Sequence, residues 1–219
     1  MTKLILGASV ASLLSSSAFA ALLTLPNDPV FGVQLQNGTT ISVATEGGSG
    51  NAFPSPGEDP SQSIDADNGS KYLNFGELNT GIVVDPTDDL LVLTGLQLVT
   101  GGDAPARDPA TFSIYGTNVT QSTLFSDYTP IVLNMPILAT DPGRGGTSNF
   151  VTFTNSSNSG FDSYLVIFPT VRDPEGTNAN SMQVAEILLD GTAAIPEPST
   201  LGLLGLTTIG ISALRRRRA

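Results

Sequence analysis

Asn37-Gly38 separates two short stretches of alternating apolar and polar residues, Val30 to Leu35 and Thr39 to Thr45, and predicts a tight β-hairpin early in the chain. Gly, and to a lesser degree Asn, accept the positive φ that such a turn demands, so the hairpin commits its neighbourhood to antiparallel pairing. Segments downstream keep the same rhythm. Tyr72 to Phe75, Ile82 to Val84, Leu90 to Val99, Thr111 to Tyr115, Ile131 to Leu133, Phe150 to Thr154, Tyr164 to Phe168 and Met182 to Leu189 are strand-like runs separated by Gly, Pro, Asn and Asp. No amphipathic helical period lies between them, which predicts an all-β chain folded as an antiparallel sandwich. Leu90 to Val99 and Met182 to Leu189 are apolar on both alternating faces, as strands inside a sheet are. The polar, Gly- and Pro-rich passage Glu46 to Pro60 reads as a long surface loop.

Residues 21–194 have the length of one domain with a substantial core. Five of the nine basic residues, Lys3 and Arg215 to Arg218, fall outside that span, and so does one acid, Glu197. Lys71, Arg107, Arg144 and Arg172 then face nineteen acids, and 4 minus 19 gives a domain charge of −15. Such a surface repels nucleic acid and anionic lipid and favours cations, neutral sugars or basic partners. Cysteine is absent, so core packing, with or without a metal, must stabilise the domain. The absence of histidine and tryptophan excludes Ser-His-Asp and Cys-His catalysis, His-ligated zinc and Trp sugar platforms.

Both termini carry processing signals. Lys3, the apolar run Leu4 to Leu14 and the small-x-small sequence Ala18-Phe19-Ala20 form the pattern of a secretory signal peptide over residues 1–20, with signal peptidase expected to cut after Ala20. The run is short for an N-terminal membrane helix and ends in Ser and Ala rather than in charges. At the other end, Pro196-Glu197-Pro198 precedes the apolar run Leu201 to Leu214, and Arg215-Arg216-Arg217-Arg218 follows as a membrane stop. As a helix these fourteen apolar residues rise only about 21 Å against a hydrocarbon core of about 30 Å, marginal for a permanent anchor. The order of the three elements over residues 195–219 resembles the PEP-CTERM sorting tail of Gram-negative bacteria. That resemblance implies export, an inner-membrane intermediate held by a short hydrophobic helix, cleavage at Pro196-Glu197-Pro198 by an exosortase, and delivery to the cell surface or extracellular matrix.

Two places in the domain could carry chemistry. Ser63-Ile64-Asp65-Ala66-Asp67-Asn68-Gly69-Ser70-Lys71-Tyr72 crowds oxygen donors into a turn, as a hard divalent cation requires. An EF-hand is excluded, because the third acidic position is displaced and Gly76 stands where the twelfth ligand would be. A solvated acidic turn is the competing reading. Glu186 lies within Met182 to Leu189, on the same alternating face as Met182, Val184 and Leu188. A carboxylate buried there needs a cation or a metal, unless it turns to solvent or pairs with one of the four basic residues.

Three blocks, Ser63 to Asp67 through Tyr72 to Gly76, Asp103 to Ala110 through Ile114 to Gly116, and Asn180 to Glu186, resemble discoidin-like members of the galactose-binding-domain-like superfamily. The resemblance spans about residues 30–191 and implies a jelly-roll β-sandwich with ligand loops at one end. It also implies a structural calcium, with side-chain oxygens from Asp65 and Glu186, backbone carbonyls from Asp67, Ser70 and Ala185, and an optional contribution from the Ser70 hydroxyl. Ala66 stands where relatives usually have Gly, and it is expected to avoid positive φ. Ser70 stands where they usually have Thr.

For a glycan, the candidates are Arg107, Arg144, Arg172 and Asn180 in loops, with Tyr72, Tyr128 or Phe161 as stacking rings. Arg107 beside Asp108 and Arg172 beside Asp173 also read as local ion pairs worth little. Three function classes follow: a non-catalytic surface or matrix protein binding glycan such as exopolysaccharide, a purely structural or self-associating surface protein, and a two-carboxylate glycosidase. Two convergent carboxylates in a deep cleft, one with a raised pKa, would mark the last of these.

Overall fold

The computed structural model describes residues 20–47, 52–54, 57–87, 91–155, 157 and 159–193. Ala18 and the rest of the expected signal peptide before Ala20 lie outside the described residues, as does the whole sorting tail with Pro196, Glu197, Pro198 and Arg215, Arg216, Arg217 and Arg218. Twelve strands form the described part: β1 (Ala20–Leu22), β2 (Val30–Gln36), β3 (Thr40–Val43), β4 (Tyr72–Asn74), β5 (Thr80–Val84), β6 (Leu91–Val99), β7 (Pro109–Thr117), β8 (Thr129–Pro136), β9 (Val151–Thr152), β10 (Ser163–Val171), β11 (Met182–Val184) and β12 (Glu186–Ala193). They build a jelly-roll sandwich of a four-stranded sheet, β1-β12-β6-β9, against a six-stranded sheet, β3-β2-β5-β10-β7-β8, with β11-β4 as a separate pair. Every ladder is antiparallel. The helical turns of the described residues are short 3-10 turns at Pro60–Ser63, Pro105–Arg107 and Phe125–Asp127, and no described helix is long and apolar enough to cross a membrane.

The hairpin forms where Asn37-Gly38 predicts it. Thr39 N donates to Gln36 O, and the two central residues sit at φ 53° and 69°, the geometry of a primed turn. Between the sheets, Leu93, Leu96 and Leu98 of β6 and Ile187 and Leu189 of β12 meet Ile82, Val84, Phe112, Ile114, Tyr164, Val166 and Phe168 of the larger sheet. β6 keeps its leucines inward through a bulge. Asp190 pairs with Gly95 and Gly191 with Leu93, so Thr94 is skipped and the alternation changes parity there. Tyr72 also enters this core, and its hydroxyl leaves no space at Gly32, where an added Cβ would lie 2.2 Å from it.

The segment Met182 to Leu189 departs from the expected single strand. It breaks at Ala185, whose N–H donates to Val99 O, so that β11 pairs with β4 while β12 pairs with β6. The extra residue shifts the alternation by one. Met182 and Val184 face the core before the break, and Ile187 and Leu189 face it afterwards. Glu186 therefore shares the outer face with Leu188, not the core face of Met182 and Val184.

Antiparallel pairing fixes which loops gather. The end of β6, the start of β7 and the end of β10 bring residues 100–108 and 172–181 to the end of the sandwich where β12 begins. The opposite end carries the end of β5, the start of β10 and the end of β7, because Tyr164 pairs with Val84 and Ser163 with Thr117. Ala20, the first described residue, pairs with Thr192, one residue before the last.

Candidate functional site

Asp59 opens the approach to the acidic loop by capping the Pro60–Ser63 turn, its Oδ1 accepting from Ser61 N at 3.0 Å. The chain then folds back on itself around Asp65. Asp65 Oδ1 accepts from Asp67 N at 2.8 Å, and the Ser70 hydroxyl lies 2.9 Å from both Asp65 Oδ2 and Asp67 O. Asp67 Oδ1 accepts from Gly69 N at 2.9 Å and closes the turn. Ala66 adopts φ 63°, contrary to the sequence expectation. This left-handed conformation aims Asp67 N–H at two carboxylates at once, Asp65 Oδ1 and Glu186 Oε1 at 3.0 Å, which offsets a steric cost of about 1–2 kcal/mol.

The loop thus covers Glu186, which is only 2% exposed although it faces away from the core. Burial pushes its carboxyl up to about 7, and hydrogen bonding and repulsion from Asp65 push in the same direction, against the N–H groups of Asp67 and Ala66. None of the ion pairs among the described residues involves Asp65 or Glu186. Lys71 is held instead by Glu58 at 3.2 Å and Asp103 at 2.8 Å. Two adjoining carboxylates, a hydroxyl and nearby carbonyls, lacking a basic partner, make a donor set that suits calcium. Asp65, Asp67, Ser70, Ala185 and Glu186 are all brought to this one place, with Ala185 buried between β11 and β12. No cluster of three or more acids suited to a metal occurs among the described residues, so a cation here would depend on carbonyls and the hydroxyl as much as on carboxylates.

The same two carboxylates meet part of the criterion set for a glycosidase, since they converge and one is raised. Their arrangement rules out that use. Glycosidase carboxyls stand roughly 5–9 Å apart with the scissile bond between them, whereas these two are in hydrogen-bond contact and Glu186 lies beneath the loop.

Beside this loop the arginines assemble into a network. Arg144 makes a two-pronged contact with Asp108, Nη1 to Oδ1 at 3.1 Å and Nη2 to Oδ2 at 2.7 Å, and also donates to Gly101 O, Asp103 O and Asp141 Oδ1. Asp108 is fully buried and Gln183 Nε2 donates to it as well, at 3.1 Å. Burial nevertheless dominates and raises the Asp108 carboxyl, while the same contact raises Arg144, whose charged form it favours. Arg172 pairs with Asp141 at 2.9 Å, and Arg107 donates to Asn178 O at 2.7 Å and lies 3.8 Å from Asp103. The expected pairs of sequence neighbours are thus replaced, for Arg107 by Asp103 four residues back and by Asn178 of another loop, and for Arg172 by Asp141 of another loop. Asn180 is exposed, its Oδ1 3.2 Å from the Ser181 hydroxyl.

Of the suggested rings, Tyr72 and Tyr128 are buried and offer no face to a sugar. Phe161 covers Gly116 and stands edge-on to Tyr164. Sequence reasoning missed Asp141 and Gln183. Gln183 reads as one more residue of a buried strand, and nothing in its neighbourhood of sequence signals that its amide reaches Asp108.

Comparison with known proteins supplies one decisive match. Residues 194–218 match the PEP-CTERM protein-sorting motif. No curated protein matches the chain. Among solved structures, the sandwich is similar to chitosan-binding module 1 of a chitosanase/glucanase from Paenibacillus sp. IK-5, at 14% identity and TM-score 0.47, covering 77% of this chain and 98% of the module. It is also similar to the CBM62 module of Clostridium thermocellum Xyl5A, at 19% identity and TM-score 0.46, covering 80% and 99%. A third similar structure is a CBM32 module from Clostridium perfringens in complex with GalNAc-β-1,3-galactose, at 11% identity and TM-score 0.49, covering 77% and 99%.

Proposed function

We propose that this is an exported, non-catalytic surface or matrix protein of a Gram-negative bacterium, whose sandwich binds neutral glycan through the loops at the Asp65 and Arg144 end. The observation that carries the glycan reading is that all four basic residues among those described are gathered at this end and held by acids, Lys71, Arg107, Arg144 and Arg172 meeting Glu58, Asp103, Asp108 and Asp141. A hydroxyl-rich ligand suits such a concentration of polar donors and acceptors. A calcium held by Asp65 and Glu186, with carbonyls of Asp67, Ser70 and Ala185, would fix the acidic loop beside them. Signal peptidase and exosortase are the processing partners in this reading, and the short apolar tail holds the chain at the inner membrane until cleavage.

Two experiments test it. Affinity electrophoresis of the full chain through the cell's own exopolysaccharide, with a glycan array alongside, should show retention that survives 0.5 M salt and falls in Arg107→Ala/Asn180→Ala. Absence of retention on every glycan would favour an inert or self-associating unit. Replacing Pro196 and Pro198 by Ala should leave the protein in the inner-membrane fraction, and unchanged delivery to the surface would remove the sorting step from the proposal.

A further inference from the structure

The outer face of the four-stranded sheet carries a surface that the loop-end site does not use. Leu189, Leu96 and Val151 belong to the core or pack against it, so Asp190, Gly95 and Thr152 beside them turn outward. These three stand in one row, because Gly95 pairs with Asp190 on one side and with Thr152 on the other. Leu22 of β1, exposed and paired with Asp190, extends the row, and Leu188 opposite Gln97 forms the next one. Phe150, just before β9, lays its ring over Gly95, where an added Cβ would fall against the ring Cε1 and Cζ. The missing side chain of Gly95 is what seats the ring on the sheet.

The result is an aromatic platform with acceptors around it. Phe150 is still 41% exposed although one side of its ring rests on Gly95. Gln97 Nε2 donates to Ser148 O at 2.8 Å, which fixes the amide and leaves its Oε1 as an acceptor. Thr152 is exposed, and its hydroxyl has no partner among the described residues. Asp190 is half-buried and enters no ion pair among the described residues, and burial raises its carboxyl against the opposing effect of the Thr94 hydroxyl. No strand of this sheet contains Lys or Arg.

These properties select an occupant. The C–H groups of a sugar ring meet the negative face of an aromatic ring favourably, while its hydroxyls donate to carboxylate, amide and hydroxyl oxygens. An apolar protein surface would bury Asp190 without a partner, which is costly. An acidic ligand would be repelled by the same carboxylate. The four strands span about 14 Å from β1 to β9, an open face rather than a walled pocket, so it suits a run of a polymer and not a chain end.

We propose that Phe150, with Asp190, Gln97 and Thr152, forms a second glycan site, on the outer face of the four-stranded sheet, that takes an internal run of a neutral polysaccharide. It shares no residue with the loop-end site and stands or falls independently of it. With both occupied, one domain holds two polysaccharide strands, and avidity replaces tight binding at either site.

The test is affinity electrophoresis of the full chain in detergent, with mobilities taken relative to polysaccharide-free gels. The gels contain galactomannan, dextran, a soluble β-glucan or the cell's own exopolysaccharide, with alginate as the acidic comparison. Phe150→Ala should weaken retention on a neutral polysaccharide by about tenfold or more, as loss of an aromatic anchor does, and Phe150→Tyr should preserve it. Asp190→Ala should also weaken it, and it leaves the ring on Gly95, so the test stands even where Phe150→Ala does not fold. Retention that falls in Arg107→Ala/Asn180→Ala and is unchanged in Phe150→Ala and Asp190→Ala would overturn the sheet-face site and leave the loop-end site. The reverse pattern would support the sheet face and remove the loop-end site. Retention on alginate matching that on every neutral polymer would overturn the choice of a neutral ligand, and a parent retained on none of these gels would overturn both sites.

Discussion

Replacing Glu186 by Gln should stabilise the metal-free protein at alkaline pH and lose that advantage when calcium is supplied. Its carboxyl is displaced from an ordinary 4.5 to about 7 in the fold. Because the folded value is the higher one, the carboxylic acid is the form the fold prefers. The contribution is fully present below about pH 4.5 and is lost as pH rises through about 7. With 1.36 kcal/mol per pH unit, ionised Glu186 destabilises the metal-free fold by up to about 3 kcal/mol at pH 8. Gln is neutral at every pH, keeps an oxygen for Asp67 N–H and gives an amide proton to Asp65. Thermal melts of the full chain in detergent and chelator at pH 8 should therefore place Glu186→Gln higher by roughly 6–12 °C, and melts at pH 4 should coincide. Calcium at about a thousand times its Kd adds about 4 kcal/mol to the parent at this site and reverses the order. A Gln variant less stable than the parent in chelator at pH 8 would refute the reasoning, since the N–H donors would then outweigh burial and Asp65.

Arg144→Ala should cost roughly 3 kcal/mol in urea unfolding, the lower end for breaking a buried pair because Arg144 itself keeps some solvent contact while Asp108 has none. Arg107→Ala, at 3.8 Å from an exposed Asp103, should cost less than about 1 kcal/mol by the same measurement. Gly32→Ala should destabilise by about 1–3 kcal/mol through its clash with the Tyr72 hydroxyl, and Tyr72→Phe in the same chain should recover part of the loss. Additive losses in the double variant would show that the clash is not the cause.

The strand segments were legible because alternation and turn chemistry are local. Asn37-Gly38 needs only its own backbone preferences to make the hairpin, and the both-face apolar character of Leu90 to Val99 needs only neighbouring side chains. The sorting motif is legible for a similar reason, since its parts stand in a fixed linear order along the sequence. Asp65 and Glu186 could be singled out as types and positions, yet the break at Ala185 was hidden, because apolar residues stand on both alternating faces of Met182 to Leu189 and a one-residue shift leaves no mark on that pattern.

Pairings among charged groups were decided only by the tertiary structure. Arg107 precedes Asp108 in sequence and reaches Asp103 in space, while Arg144 crosses from another loop to claim Asp108. Sequence also gives no reason to join Asp85 to Ser163, which meet because β5 and β10 pair antiparallel. The physical reason is the range of the forces. Turn and alternation preferences act within a few residues, whereas the cost of burying Asp85, Asp108 or Glu186 depends on what the fold brings beside each carboxylate from elsewhere in the chain.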